Sequence, residues 1–203
     1  VIYMVINQEK NELKLKNEHY SALLVSSIDT MLHELKASLA SDTLEQRSSI
    51  LFENHEFLHA VYLLDKNHKI LNSYTRNDDY IVEPNFLLRK LDNGEMLIDR
   101  FIYDDNSEAY ELVAYNLNDK ILIMLLNIKK MAHFVLDGSK NSYMVDKAGF
   151  IYGEVNDNAR LNIYDELDLD DDWKISHADF SVFKSKDAWV YYTVNYLPNL
   201  KIA

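Results

Sequence analysis

The chain has no cysteine, and that absence removes disulfides, thiolate zinc sites and cysteine nucleophiles together. Proline occurs twice and glycine four times in 203 residues. Turns must therefore lean on Asn and Asp, whose side chains bond their own backbone and which tolerate the left-handed region. No apolar run approaches the roughly 20 residues a helix needs to cross a bilayer. Positive charge is also scarce: 21 Lys and Arg stand against 33 Asp and Glu, for a net charge of −12. Without a basic stripe to release counterions, a nucleic-acid phosphate backbone is excluded as a partner class. The sequence also lacks a P-loop, a dinucleotide-binding glycine pattern and a nucleophile elbow.

What is present describes a folded protein. Hydrophobic residues make up 48% and charged residues 27%, enough to bury a core as one large domain or two small packed modules. The opening VIYMVI is six apolar residues followed at once by the polar run NQEKNELKLKNEHY. It reads either as a buried helix end or as the outer tip of a membrane-spanning helix. From about Gln8 to Ala40 there is neither Pro nor Gly, and Leu24, Ile28, Met31, Leu35 and Leu39 recur at steps of three or four. One continuous helical stripe follows from that spacing. Thirty helical residues would extend about 45 Å, so part of the helix is expected to protrude or to pair with another copy. Ser41 and Asp42 offer an N-cap for a second helix, Thr43 to about Asn54.

Beyond that point the period changes to two. HAVYLLD and KILNSY flank Lys66-Asn67-His68 as a hairpin, and FLLRKL reads as a short helix. MLIDRFIYD, AYELVAYNL and KILIMLLNI then read as three antiparallel strands joined by Asp/Asn turns. The pattern recurs after a connecting helix, KKMAHFVLDG. AVYLLDKNHKILNS and SYMVDKAGFIYGE share an apolar strand, Asp-Lys, two turn residues and a second apolar strand, with Asp65 and Asp146 in equivalent places. The helical or loop segment NARLNIYDEL and the strands DFSVFKS and AWVYYTVNYL complete a shorter second unit. The expected fold class is α+β, with a duplicated sheet unit.

HEFLH, residues 55–59, matches the HExxH pattern of zinc hydrolases. That chemistry needs both histidines and the Glu on one helix, because the i, i+4 spacing brings two imidazoles to one metal. Here the helix should end near Asn54 or His55, and His59 opens a strand. Residues four apart on a strand are about 13 Å apart, too far to share a zinc at bonds of roughly 2 Å. No metal, cofactor or catalytic residue is expected, and a zinc hydrolase stays a remote alternative. The acidic run Asp165 to Asp172 lacks an EF-hand's central Gly and closing Glu and reads as a solvated loop.

The order of these elements resembles the double Cache family, the tandem PAS-like sensor domains of bacterial membrane receptors. The residues that carry the resemblance are the long first helix, the strand-Asp-hairpin LLDKNHKI, its second copy MVDKAGFI and the closing YLPNLKIA. The first copy has His68 where the family usually has Gly. The resemblance implies a long helix followed by two PAS-like modules, each an antiparallel sheet flanked by helices. The boundaries would be residues 1–50 for the leading helices, 51–130 for a membrane-distal module and 131–203 for a smaller membrane-proximal one. It further implies the periplasmic or extracellular portion of an inner-membrane receptor, with flanking transmembrane helices and a cytoplasmic output domain outside this chain. The chain itself would not be an enzyme. A homodimer would form through the first helix.

In such domains the ligand sits in the distal module, which maps to Tyr74–Arg100 and inward residues of the following strands. The candidate ligand-binding residues are Tyr74, Arg76, Tyr80, Phe86, Arg89, Asp99, Arg100, Tyr103, Tyr110 and Tyr115. Arg offers a planar fork for a carboxylate, and Tyr offers an apolar wall carrying a hydroxyl. With 14 tyrosines in the chain, packing on sheet faces is the competing explanation for each. The amino-acid-binding signature of the family, Arg-x-Trp-Tyr, is replaced here by Pro84-Asn85-Phe86-Leu87-Leu88-Arg89, so the ligand class stays open. The alternative is a dimerisation or protein-partner module with no small ligand.

Overall fold

A computed structural model describes residues 2–76, 96–103, 109–136, 144–146, 151–152, 180–184, 189–194 and 200–202. Helix α1 (Ile2–Ala40) is the uninterrupted helix that the lack of Pro and Gly predicts. Its length is about 58 Å at 1.5 Å per residue. Polar pairs line its exposed face, with Gln8 Nε2 donating to Glu12 Oε1 at 3.2 Å and Lys14 3.7 Å from Glu18. Leu24, Ile28, Met31 and Leu35 are fully buried, and Leu39 is half-buried. The stripe expected to pair two subunits is thus spent inside this chain. The physical reason is burial, since covering each such side chain stabilises by about 1.5–3 kcal/mol.

The turn into helix α2 (Leu44–Asn54) corrects the expected cap. Thr43, not Ser41 or Asp42, is the N-cap residue, and no side chain caps the helix. The Ser41 and Thr43 hydroxyls bond each other at 2.8 Å, and Ser41 Oγ also reaches the Ser38 carbonyl. Asp42 takes φ 55 to turn the chain, a conformation Asp reaches at modest cost. The Thr43 amide donates back to the Ser38 carbonyl at 3.0 Å. Leu44, Ser48 and Leu51 form the buried face of α2. Arg47 Nη1 lies 3.3 Å from Glu34 Oε2 and ties α2 to α1.

Five strands follow in one antiparallel sheet: β1 (Leu58–Asp65), β2 (Ile70–Thr75), β3 (Met96–Tyr103), β4 (Ala109–Leu117) and β5 (Lys120–Asn127). Their order is β2-β1-β5-β4-β3. The β1–β2 turn is organised by one carboxylate. Asp65 Oδ1 accepts the amides of Asn67 at 2.8 Å and Lys69 at 2.9 Å. The Asp65 carbonyl accepts the His68 amide, and the Asp65 amide donates to the Lys69 carbonyl. His68 sits at φ 65, the left-handed region where Gly costs least. The β4–β5 turn also uses a left-handed residue, Asn118 at φ 67, and the Asp119 amide donates to the Leu117 carbonyl at 2.8 Å. Asx chemistry replaces glycine, as the composition requires.

Register divides this sheet into two faces. Ala60, Tyr62, Leu64, Tyr110, Leu112, Ala114, Ile121, Ile123 and Leu125 form one continuous core cluster, with Ile70 packed against it. Val61, Leu63, Val113, Leu122 and Met124 are also buried and alternate with that cluster along the strands, so they belong to the opposite face. Near-total burial on both faces explains the solid apolar runs in β1 and β5.

Helix α3 (Ile128–Leu136) starts directly from β5. Asn127 Oδ1 accepts the Lys130 amide at 3.0 Å, a side-chain N-cap. A second antiparallel sheet comprises β6 (Met144–Asp146), β7 (Ile151–Tyr152), β8 (Phe180–Lys184), β9 (Trp189–Val194) and β10 (Leu200–Ile202) in the order β7-β6-β10-β9-β8. The architecture is therefore α+β, with an N-terminal helix and antiparallel sheet. The chain divides into two compact units, residues 28–131 and residues 1–27 with 132–203, so α1 contributes to both. The expected helix FLLRKL, the segment NARLNIYDEL, the turn after Asp146 and the acidic run 165–172 lie outside the described residues.

Candidate functional site

The two faces of the first sheet separate the candidate residues. Tyr115 stands opposite Leu122, and its ring lies 4.0 Å beneath Lys36 Nζ of α1. Tyr74 stands opposite Val61 on the same side. Burial raises the pKa of its hydroxyl above the usual value, and nearby Glu45 adds to that. Both tyrosines therefore belong to the helix-covered face and are explained by packing against it. Tyr110 is different. It belongs to the opposite face with Tyr62, and its ring packs against His59 at 4.5 Å between centroids, tilted by 42°.

Arg76 is engaged by the fold. Nη2 donates to the carbonyls of Phe52 and, at 2.7 Å, His55, while Nε donates to the Leu58 carbonyl at 3.2 Å. Its backbone amide donates to the His59 carbonyl at 3.0 Å. The guanidinium also sits 5.8 Å from the centre of the Phe52 ring. A side chain expected to anchor a ligand carboxylate instead holds backbone oxygens at the end of α2. Helix ends present such oxygens because their last carbonyls lack intrahelical partners.

Within β3, Arg100 stands opposite Leu112 and Tyr103 opposite Ala109, while Asp99 falls at the register shift between Ile98 and Arg100. Tyr80, Phe86 and Arg89 lie outside the described residues.

HEFLH resolves into two elements. His55 is the C-cap of α2, its backbone extended and its amide bonded to the Leu51 carbonyl at 2.9 Å. His59 belongs to β1, where the register shifts between Leu58 and Ala60. The two imidazoles do not share the helix face that an HExxH zinc site requires. His55 packs edge-on against Phe57. Burial holds its pKa below the ordinary value, a shift that Glu34 partly opposes. Among the described residues no cluster of three metal-ligating side chains occurs.

Sequence reasoning missed His59 and Tyr62 as members of the Tyr110 face. The available signal was alternation: Ala60, Tyr62 and Leu64 share a face by period two, but the bulge that sets His59 against Tyr110 is invisible in a periodicity count. It also missed Glu111, a carboxylate fully buried on β4 opposite Leu126.

This fold, a long helix leading into a five-stranded antiparallel sheet and then a second five-stranded sheet, is shared with solved extracellular sensory and ligand-binding domains. The extracellular domain of vpHK1S-Z8, described as a histidine kinase, aligns over 99% of this chain and 93% of its own at TM-score 0.69 and 11% identity. The ligand-binding domain of the Pseudomonas aeruginosa amino-acid chemoreceptor PctC, in complex with GABA, aligns over 96% and 97% at TM-score 0.59 and 11% identity. The sensory domain of the Campylobacter jejuni chemoreceptor Tlp3, with isoleucine bound, aligns over 97% and 93% at TM-score 0.57 and 11% identity. No protein-family model matches the chain, and no curated protein sequence matches it. Among the described residues no helix is long and apolar enough to cross a membrane.

Proposed function

We propose that this chain is the extracytoplasmic sensor of a bacterial signal-transduction receptor, a chemoreceptor, sensor kinase or diguanylate cyclase. A small molecule binds the membrane-distal module, residues 51–130, on the Tyr110 face of the first sheet. Residues 131–203 form the smaller proximal module, and any catalytic output lies outside this chain. The observation that carries the reading is a sheet with one face against α1 and α2 and aromatic side chains on the other, in a fold shared nearly end to end with ligand-binding sensors. Tyr110, Tyr62 and His59 form the floor of the site. Asp99, Arg100, Tyr80, Phe86 and Arg89 are the further contacts. Ligand occupancy shifts a population between two arrangements, and the flanking transmembrane helices carry that shift inward.

A thermal-shift screen tests this with L-isoleucine, L-alanine, GABA, and sets of organic acids and amines. A ligand at a hundred times its Kd adds about 2.7 kcal/mol, which raises Tm by about 6 °C if all 203 residues unfold together. Stabilisation by one compound, lost in Tyr110→Ala at unchanged fold, supports the site. Indifference to every compound refutes the proposal and favours the second reading, a dimerisation or protein-partner module. That reading has its own support in Leu15 and Leu23 of α1, which are 64% and 38% exposed. It predicts a dimer in sedimentation that Leu15→Glu dissociates.

A further inference from the structure

Arg76 is the last described residue before the segment on which Tyr80, Phe86 and Arg89 lie, and its side chain reaches back across two elements. Three backbone oxygens converge on it: Phe52 in the last turn of α2, His55 at the C-cap and Leu58 at the start of β1. The first two carbonyls sit where a helix presents its negative end, so a cation there is favoured beyond the hydrogen bonds themselves. The planar fork matters too, because two donors from one nitrogen and a third from Nε fix three oxygens at once. A lysine ammonium cannot hold that geometry.

We infer that Arg76 is a positioning residue that latches the end of β2 to the C-terminal end of α2, making α2 move with β2. The path continues within the same compact unit. Leu51, one turn before the latch, is buried, and Arg47, one turn further back, pairs with Glu34 of α1 at 3.3 Å. A displacement at the end of β2 therefore reaches α1 through α2 rather than through the sheet. This gives the proposed sensor a mechanical route from its ligand face to its long helix, and it rests on that reading for its purpose. The latch itself stands on geometry alone.

Amide hydrogen exchange on the unliganded protein tests it, so the outcome does not depend on whether the sheet face binds anything. Arg76→Gln removes the charge and the fork; Arg76→Lys keeps the charge. In Arg76→Gln the amides of His55, Leu58 and residues 51–54 of α2 should exchange roughly tenfold faster, while Val113 and Met124 in the sheet keep their rates. Arg76→Lys should fall between Arg76→Gln and the parent. A uniform acceleration at all these amides would make Arg76 a contributor to global stability only and overturn the latch. Acceleration confined to residues 75 and 76, or none, would overturn it as well. Should Arg76→Gln fail to fold, the same criteria apply to Arg76→Lys.

Discussion

Asp65 offers a sharp test of how this chain makes turns without glycine. One carboxylate oxygen accepts two backbone amides, Asn67 at 2.8 Å and Lys69 at 2.9 Å, and so closes the first hairpin. Asp65→Ala removes both acceptors at once. Each bond contributes about 1 kcal/mol net at a solvent-accessible turn, where water satisfies the orphaned amides, so the loss should be about 2 kcal/mol. An unfolding entropy of about 2.1 cal/mol/K per residue converts that to a Tm drop of about 5 °C if the 203 residues unfold together. If the 28–131 unit unfolds by itself the drop is about 9 °C. Asp65→Asn keeps the accepting oxygen in place and should cost less than half as much. Differential scanning calorimetry of the parent and both variants reads this directly. The reasoning fails if Asp65→Ala melts within 1 °C of the parent. It fails equally if Asp65→Asn is as damaging as Asp65→Ala, since charge rather than acceptor geometry would then be the operative property.

Two further outcomes follow from single residues in the same unit. His68→Gly should stabilise the chain by about 0.5–1 kcal/mol, because φ 65 costs a side chain with a Cβ more than it costs glycine; urea denaturation with an unchanged slope would show it. His55 makes stability depend on pH. Its pKa is held below the ordinary value of 6.5 chiefly by burial, so below about pH 6.5 the unfolded chain takes up a proton that the folded chain refuses. Stability should therefore decline as pH falls from about 6.5 to the lowered folded pKa and level off beneath it for this group. His55→Gln should flatten that part of the profile in melts run from pH 7.5 to 5.

Much of the local structure was legible because it is decided locally. The absence of Pro and Gly up to Ala40 predicts one helix, and α1 is one helix. AYELVAYNL coincides with β4, and KILIMLLNI overruns β5 by one residue, with the Asn118-Asp119 turn dividing the two runs. The second helix began one residue later than expected. A capping motif can be spotted by residue type, yet Ser41 spent its hydroxyl on Ser38 and Thr43, and Asp42 took a left-handed turn. The site was only partly legible for a related reason. Ten residues suited to a ligand could be named from chemistry, but chemistry does not say which face of a sheet they occupy.

The sequence by itself determined the helix stripe, the strands of the first sheet to within a residue at each end and the reliance on Asx turns. Each follows from spacing and backbone preference within a few residues. Only the tertiary structure decided that Tyr74 and Tyr115 lie toward α1 while Tyr110 joins Tyr62 and His59 on the other face. It alone turned Arg76 from a candidate ligand anchor into a clasp on the end of α2. Strand order, register and a one-residue bulge join positions as far apart in the chain as Leu58 and Leu126, and no local pattern encodes them. The physical reason is that a face is a property of neighbouring strands, settled when the apolar runs find one another and exclude water.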